Sequence, residues 1–159
     1  MMEIHLKTKI MQWKPHATVA AIVEKDGKFL LVEETTDRGN RFNQPAGHLE
    51  DNETLLEAVI RETLEETAYA FTPDALLGIY HWKHEHNDTT YLRFAYIGSV
   101  SNHQPELGLD EGIIRTVWMT IDEIRNKAML MRSPQVITCI EDYLSGQKFP
   151  LAVVTHLYI

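Results

Sequence analysis

A single cysteine, Cys139, is the chain's only thiol, so neither an internal disulfide framework nor a thiolate zinc site is available to it. Its apolar helical setting suits a small core residue. Positive charge is also scarce. Fifteen Lys and Arg stand against 23 Asp and Glu, a formal charge of −8, and such a surface repels a nucleic-acid backbone unless basic residues cluster or a metal intervenes. A nucleic-acid polymer is therefore not an expected partner. No apolar run approaches membrane-spanning length, and the opening MMEIHLKTKIMQWKPH has no apolar core of the signal-peptide kind; the expectation is a cytoplasmic protein that does not engage a membrane. Low-complexity tracts and internal repeats are missing too. With 44% hydrophobic residues over 159 positions, the chain has enough apolar side chains for one domain with a real core, and one site is sought.

The runs ATVAAIV (17–23) and FLLVEE (29–34) flank EKDGK, whose Asp26-Gly27 pair signals a hairpin between two antiparallel strands. TTDRGNR reads as a polar loop, and Pro45 and Gly47 punctuate FNQPAG. A helix is expected from near Thr54, because Thr54-Leu-Leu-Glu57 has the form of a capping box. Leu56, Val59, Ile60, Thr63 and Leu64 mark its core side at helical periodicity, with Glu62, Glu65 and Glu66 opposite. LLGIYHWKH and YLRFAYIGSV form a second hairpin around Asn87-Asp88-Thr89-Thr90, IIRTVWM (113–119) is a further strand, and SNHQPELGLDEG is a loop. Thr120-Ile-Asp-Glu123 is another capping box. Ser133 is the expected N-cap of a last helix with Pro134 at its first position and Gly146 as its stop. Strands with an early and a late helix imply helices covering a mixed sheet.

The segment from Gly47 to Tyr69 holds six glutamates and one aspartate against one arginine. Glu62, Glu65 and Glu66 have i, i+3, i+4 spacing, which gathers three carboxylates on a helix surface at a cost in repulsion. A shared cation relieves that cost, and oxygen-only ligands suit Mg²⁺ or Mn²⁺ with phosphate oxygens completing the shell. A merely solvated acidic face is the plain alternative. The full spacing argues against it: Gly47, five residues, Glu53, seven residues, Arg61-Glu62, two residues, Glu65-Glu66. This resembles the signature of the Nudix hydrolases, with a loop, a helix and every charged position agreeing. Ala68 stands where that signature has its second glycine, and Thr63 where it has a bulky apolar residue.

The resemblance implies an α/β fold, an α/β/α sandwich with a mixed β-sheet, hydrolysing a diphosphate linked to another group. It also implies that the Gly47 carbonyl, Glu62, Glu65 and Glu66 hold Mg²⁺ or Mn²⁺, that Glu53 acts through water and that Arg61 orients the glutamates. Glu62 or Glu66 is then the base, with Asp110 and Glu111 as the alternative from a later loop. KPHATVAAIV, GKFLLVEET, FNQPAGHLE, YLRFAY, MRSP and YLSGQKFPL are similar to a bacterial phosphatase branch of the family, from about Lys14 to Leu151. The expected organisation is an N-terminal extension over 1–13, the catalytic domain over 14–151 and a tail over 152–159.

That branch implies removal of the terminal phosphate from pyrophosphate esters, thiamine pyrophosphate and its hydroxymethylpyrimidine pyrophosphate precursor among them, with some action on nucleoside di- and triphosphates. A housecleaning nucleoside di- or triphosphate pyrophosphohydrolase is the alternative within enzymes, and a non-catalytic nucleotide sensor the alternative outside them. The substrate pocket is expected between the acidic helix and the hairpin around 77–97. There Trp82 and Tyr91 would stack on a heteroaromatic ring, Arg93 would hold a phosphate oxygen, and the amides of Asn43 and Gln44 would read polar edges. His81, His84 and His86 do not make a zinc site, since strand alternation sends His81 to the other face. His48 reads as a loop residue near the substrate. The partner is a small pyrophosphate, and the protein a monomer or homodimer.

Overall fold

Asp26 and Gly27 both take positive φ, 52° and 76°, the pair of left-handed residues that a tight hairpin turn needs. The computed structural model describes residues 12–157, so most of the expected extension over 1–13 lies outside the described residues. The hairpin is shorter than expected. Strand β1 (His16–Ile22) ends before it, the two-residue β2 (Glu24–Lys25) pairs with β3 (Lys28–Thr36), and β1 and β3 belong to different sheets. Beyond the turn, the Leu30 N–H donates to the Val23 carbonyl at 3.0 Å. The expected TTDRGNR loop is itself a hairpin, since β4 (Gly39–Asn43) pairs back onto β3 with Thr36 opposite Gly39. Gly39 at φ 85° supplies the conformation this turn requires.

Strand β5 (Ala46–His48) follows, then helix α1 (Leu55–Thr67). Strands β6 (Ala70–Lys83) and β7 (Thr90–Ser101) form the long hairpin, and β8 (Ile113–Thr120) leads into α2 (Ile121–Asn126). Helix α3 (Gln135–Leu144) comes last. One sheet has the order β5-β1-β7-β6, with β1 and β7 parallel and the other pairs antiparallel; the second places β3 between β4 and β8, with β2 at its end. The fold is thus α/β with a mixed sheet, as expected.

Alternation along the strands builds two cores. Val19, Ala21 and Val23 of the first strand region, Leu30 of β3 and Leu76 of β6 pack with Leu55, Ala58 and Val59 of α1. Ile22, Phe29, Leu31, Leu77 and Ala95 face the other way, toward Ile124 of α2 and Val136, Cys139 and Ile140 of α3. Helices therefore cover opposite faces. The outer edge of β6 is closed where Leu76 and Phe149 exchange both backbone bonds, at 2.9 and 2.7 Å.

The α1 capping box is complete: the Thr54 hydroxyl accepts from the Glu57 N–H at 3.0 Å and the Glu57 carboxylate from the Thr54 N–H at 2.7 Å. The buried stripe, however, differs from the expected one. It comprises Leu55, Ala58, Val59, Glu62, Thr63, Glu66 and Thr67, while Ile60 is 38% exposed. Glu62 and Glu66 thus point inward, where an apolar count alone would not place them. Thr63 satisfies its hydroxyl on the Val59 carbonyl at 2.7 Å. Ala68 ends the helix in the left-handed conformation, φ 58° and ψ 19°, with its N–H on the Leu64 carbonyl. It reproduces the exit a glycine would give, against the steric cost that a Cβ carries there.

Candidate active site

Arg61 is the hub of the acidic segment. Its Nη1 donates to Glu62 Oε1 at 2.7 Å and Glu65 Oε2 at 3.1 Å, and its Nη2 to Glu53 Oε1 at 2.7 Å and the His48 carbonyl at 3.1 Å. Its Nε reaches Glu53 Oε2 at 3.0 Å. One planar fork therefore spans three carboxylates and ties α1 to the end of β5, a geometry the ammonium of lysine does not offer. These bonds raise the already high pKa of Arg61, and they hold Glu53 below the usual carboxylate range.

Gly47 makes room for the central carboxylate. A Cβ built there would lie 2.1 Å from Glu62 Cδ and Oε2 and 2.2 Å from Oε1, so any side chain on residue 47 displaces Glu62. Asp110 arrives from the far side of the sequence. At the end of α1 the last carbonyls lack helical partners; the Ala68 N–H takes Leu64, the Asp110 N–H takes Glu65 at 3.0 Å, and the Gln104 N–H takes Ala68 at 2.9 Å. The loop before β8 is thereby fastened to the helix terminus. One oxygen each from Glu62, Glu65 and Asp110 then lie within 4.8 Å of one another. Glu66 stands outside this trio, with Oε2 accepting the Ala46 N–H at 2.9 Å.

Burial pushes Glu62 above its ordinary pKa, opposed by the bonds from Arg61, and pushes Glu66 up to about 8. Neighbouring carboxylates add to both. Buried, mutually repelling carboxylates are the condition that a divalent cation relieves. The donors fit such a group: all are oxygen, three converge, and Gly47 admits the closest of them.

Beside this cluster lies a cavity of about 570 Å³, lined by Ala46, Gly47 and His48 at the carboxylate side. Trp82 and Tyr91, paired across β6 and β7, stack with centroids 5.6 Å apart and planes at 18°. His16 lies 3.1 Å from His48 between ring nitrogens and packs on Tyr91 at 5.6 Å between ring centroids. Arg93 and Asn43 line the cavity, as do Thr18, Glu34, Asp37 and Arg38, along with Arg132, Ser133 and Gln135. Burial raises the pKa of Glu34, and the Arg132 guanidinium at 3.5 Å opposes this.

The expected residues fall into three groups. Glu62 and Glu65 meet with Asp110; Arg61 and Glu53 brace them from outside; Arg93, Trp82, Tyr91 and Asn43 line the cavity. Gln44 departs from expectation. It is 1% exposed and does not line the cavity, because its amide is committed internally, donating to the Val136 carbonyl at 2.8 Å and accepting from Arg93 Nη1 at 3.1 Å. Glu111 is exposed and outside the trio. Among the described residues His81, His84 and His86 form no converging ligand set. Ser133 does not cap α3, which starts without a side-chain cap. Sequence reasoning missed Glu34, Arg132 and Ser133 as cavity residues; Glu34 and Ser133 had ordinary strand and cap explanations that concealed them.

The carboxylate trio and its arginine brace, carried on a mixed-sheet α/β fold, form a divalent-cation type of site. The NUDIX domain model matches residues 14–138, and the chain belongs to the Nudix family. It is 41% identical over 142 residues to Phosphatase NudJ of Shigella boydii serotype 4, covering 89% of this chain and 92% of that protein. Phosphatase NudJ of Escherichia coli K12 is 40% identical over the same span and coverage. A solved NUDIX hydrolase from Nitrosomonas europaea superposes with a TM-score of 0.89 at 49% identity, over 91% of this chain and 98% of that one. No helix among the described residues is long and apolar enough to cross a membrane.

Proposed function

We propose that this chain is a divalent-cation-dependent phosphatase that removes the terminal phosphate from pyrophosphate esters bearing a heteroaromatic group, thiamine pyrophosphate and hydroxymethylpyrimidine pyrophosphate among them, with nucleoside di- and triphosphates as further substrates. The carrying observation is adjacency: Gly47, which admits Glu62 to the carboxylate trio, also lines the cavity that holds the Trp82–Tyr91 stack. A pyrophosphate at the trio thus has a ring-sized space and a flat aromatic face next to it.

Glu62, Glu65 and Asp110 are the residues that would hold Mg²⁺ or Mn²⁺, with the Gly47 carbonyl as a further oxygen donor and Glu53 acting through water. Such a cation, when bound, neutralises pyrophosphate charge and makes a water a better nucleophile. Arg61 keeps Glu62 and Glu65 in one geometry through its fork. Glu66, anchored by one oxygen on the Ala46 N–H, is assigned as the proton acceptor at its other oxygen. Arg93 meets the substrate from the cavity wall.

A substrate panel with Mg²⁺, scored for product, tests the reading. Monophosphate and orthophosphate from the thiamine and pyrimidine pyrophosphates are the expected products. Intact pyrophosphate esters beside rapid release of inorganic pyrophosphate from nucleoside triphosphates would instead establish the housecleaning alternative. Nucleotide binding with no turnover of any substrate would establish a sensor.

A further inference from the structure

Three buried polar atoms on the cavity wall lack a hydrogen-bond partner among the described residues: Arg93 Nε, Ser133 Oγ and Glu34 Oε1, the last facing the Arg132 guanidinium at 3.5 Å. Arg93 is 6% exposed, and its Nη1 and Nη2 donate to the neutral oxygens of Gln44 at 3.1 Å and Asn43 at 3.3 Å. Its Nε has no hydrogen-bond partner among the described residues. Ser133 is 8% exposed, and its hydroxyl is equally without one among the described residues. Both line the same cavity as Trp82 and Tyr91.

Ser133 has an evident local use that it does not fulfil. A serine just ahead of a helix normally turns its hydroxyl onto the first free N–H groups. Here only the Ser133 backbone carbonyl meets the helix, accepting the Val136 N–H at 3.2 Å, and α3 has no side-chain cap. Losing a cap and burying a bare hydroxyl are both destabilising. A position that departs from local preference twice, on a cavity wall, is more readily explained by a ligand than by the fold. Arg93 is of the same kind, a desolvated cation whose protein neighbours leave a donor unused.

The ligand chemistry follows from what the rest of the site supplies. The carboxylate trio takes the pyrophosphate, and the aromatic stack offers a surface to the ring face, so the ring edge is left for the wall. Guanidinium only donates, and the free hydroxyl has a proton to give. We propose that Arg93 and Ser133 form a two-donor specificity subsite for the edge of the substrate's ring, favouring heteroaromatic groups that present a ring nitrogen or carbonyl oxygen over apolar groups of the same charge. This rests on the pyrophosphate-ester function proposed above.

The test is Ser133→Ala, with KM measured for hydroxymethylpyrimidine pyrophosphate and with methyl diphosphate, which has no ring, as competitive inhibitor. KM for the ring substrate is expected to rise about tenfold, the effect of one lost hydrogen bond, while the inhibition constant of methyl diphosphate holds and the melting temperature holds or rises. Arg93→Lys, which keeps the charge but lacks Nε, is expected to show the same selectivity change. A Ser133→Ala variant whose two constants move together, or do not move, overturns the subsite, as does one that only melts earlier. Failure of the wild type to hydrolyse any pyrophosphate ester overturns the proposed function itself, a result distinct from loss of selectivity in an active enzyme.

Discussion

Substituting Gly47 by alanine isolates the packing of the carboxylate centre from its chemistry, since it adds one methyl group and removes no ligand side chain. Gly47 has no positive φ, so alanine is tolerated by the backbone, and the whole effect comes from the 2.1 Å overlap with the Glu62 carboxylate. Relieving that overlap requires a retreat of about 1 Å, and a misplacement of that size in a catalytic centre costs on the order of 100-fold in rate. Glu62 cannot swing away freely, because Arg61 holds its Oε1 at 2.7 Å and the same fork holds Glu53 and Glu65. The displacement is therefore passed to the cluster as a whole. Steady-state turnover at saturating Mg²⁺, alongside a thermal melt, measures it. The expected result is a turnover loss near 100-fold with the cooperative fold retained. Wild-type turnover in a folded Gly47→Ala protein would refute the placement of Glu62 at the reacting centre.

Arg61→Lys should lower stability by about 1–3 kcal/mol, the range for charge-assisted bonds lost when a fork becomes a point charge, and should raise the Mg²⁺ concentration needed for half-maximal rate; an unchanged urea midpoint and cation dependence would contradict the bracing role. Cys139 is fully buried and its thiol is pushed up to about 11 by that burial, so a thiol reagent at neutral pH should label it only as the protein unfolds. Rapid stoichiometric labelling of the native protein would count against the packing of α3.

The acidic helix was legible in the sequence because its information is local. Thr54 and Glu57 cap it, and the spacing from Gly47 to Glu66 is a pattern within one contiguous stretch of chain running from β5 through a loop into α1. Which face those glutamates take was not legible: hydrophobic periodicity correctly put Leu56, Val59 and Thr63 on the inner side but also placed Ile60 there, whereas the fold exposes Ile60 and gives buried positions to Glu62 and Glu66. Asp110 was named, with Glu111, as an alternative base from a later loop, but not as a member of the carboxylate trio. Its place depends on a backbone bond to the Glu65 carbonyl, a contact between segments that no local spacing encodes. β2, β4 and β5 were missed for a similar reason, being short strands whose pairing supplies what their composition does not. Gln44 and Ser133 exchanged expected roles. The one read as facing substrate is packed beneath the cavity, and the one read as a cap lines it.

The most direct measurement of the central claim is phosphorus NMR of the enzyme acting on thiamine pyrophosphate, first with a chelator and then with Mg²⁺ restored. The account predicts no conversion under chelation and, on adding Mg²⁺, equal amounts of thiamine monophosphate and orthophosphate. Conversion that survives the chelator, or a substrate left intact in the presence of Mg²⁺, would contradict it.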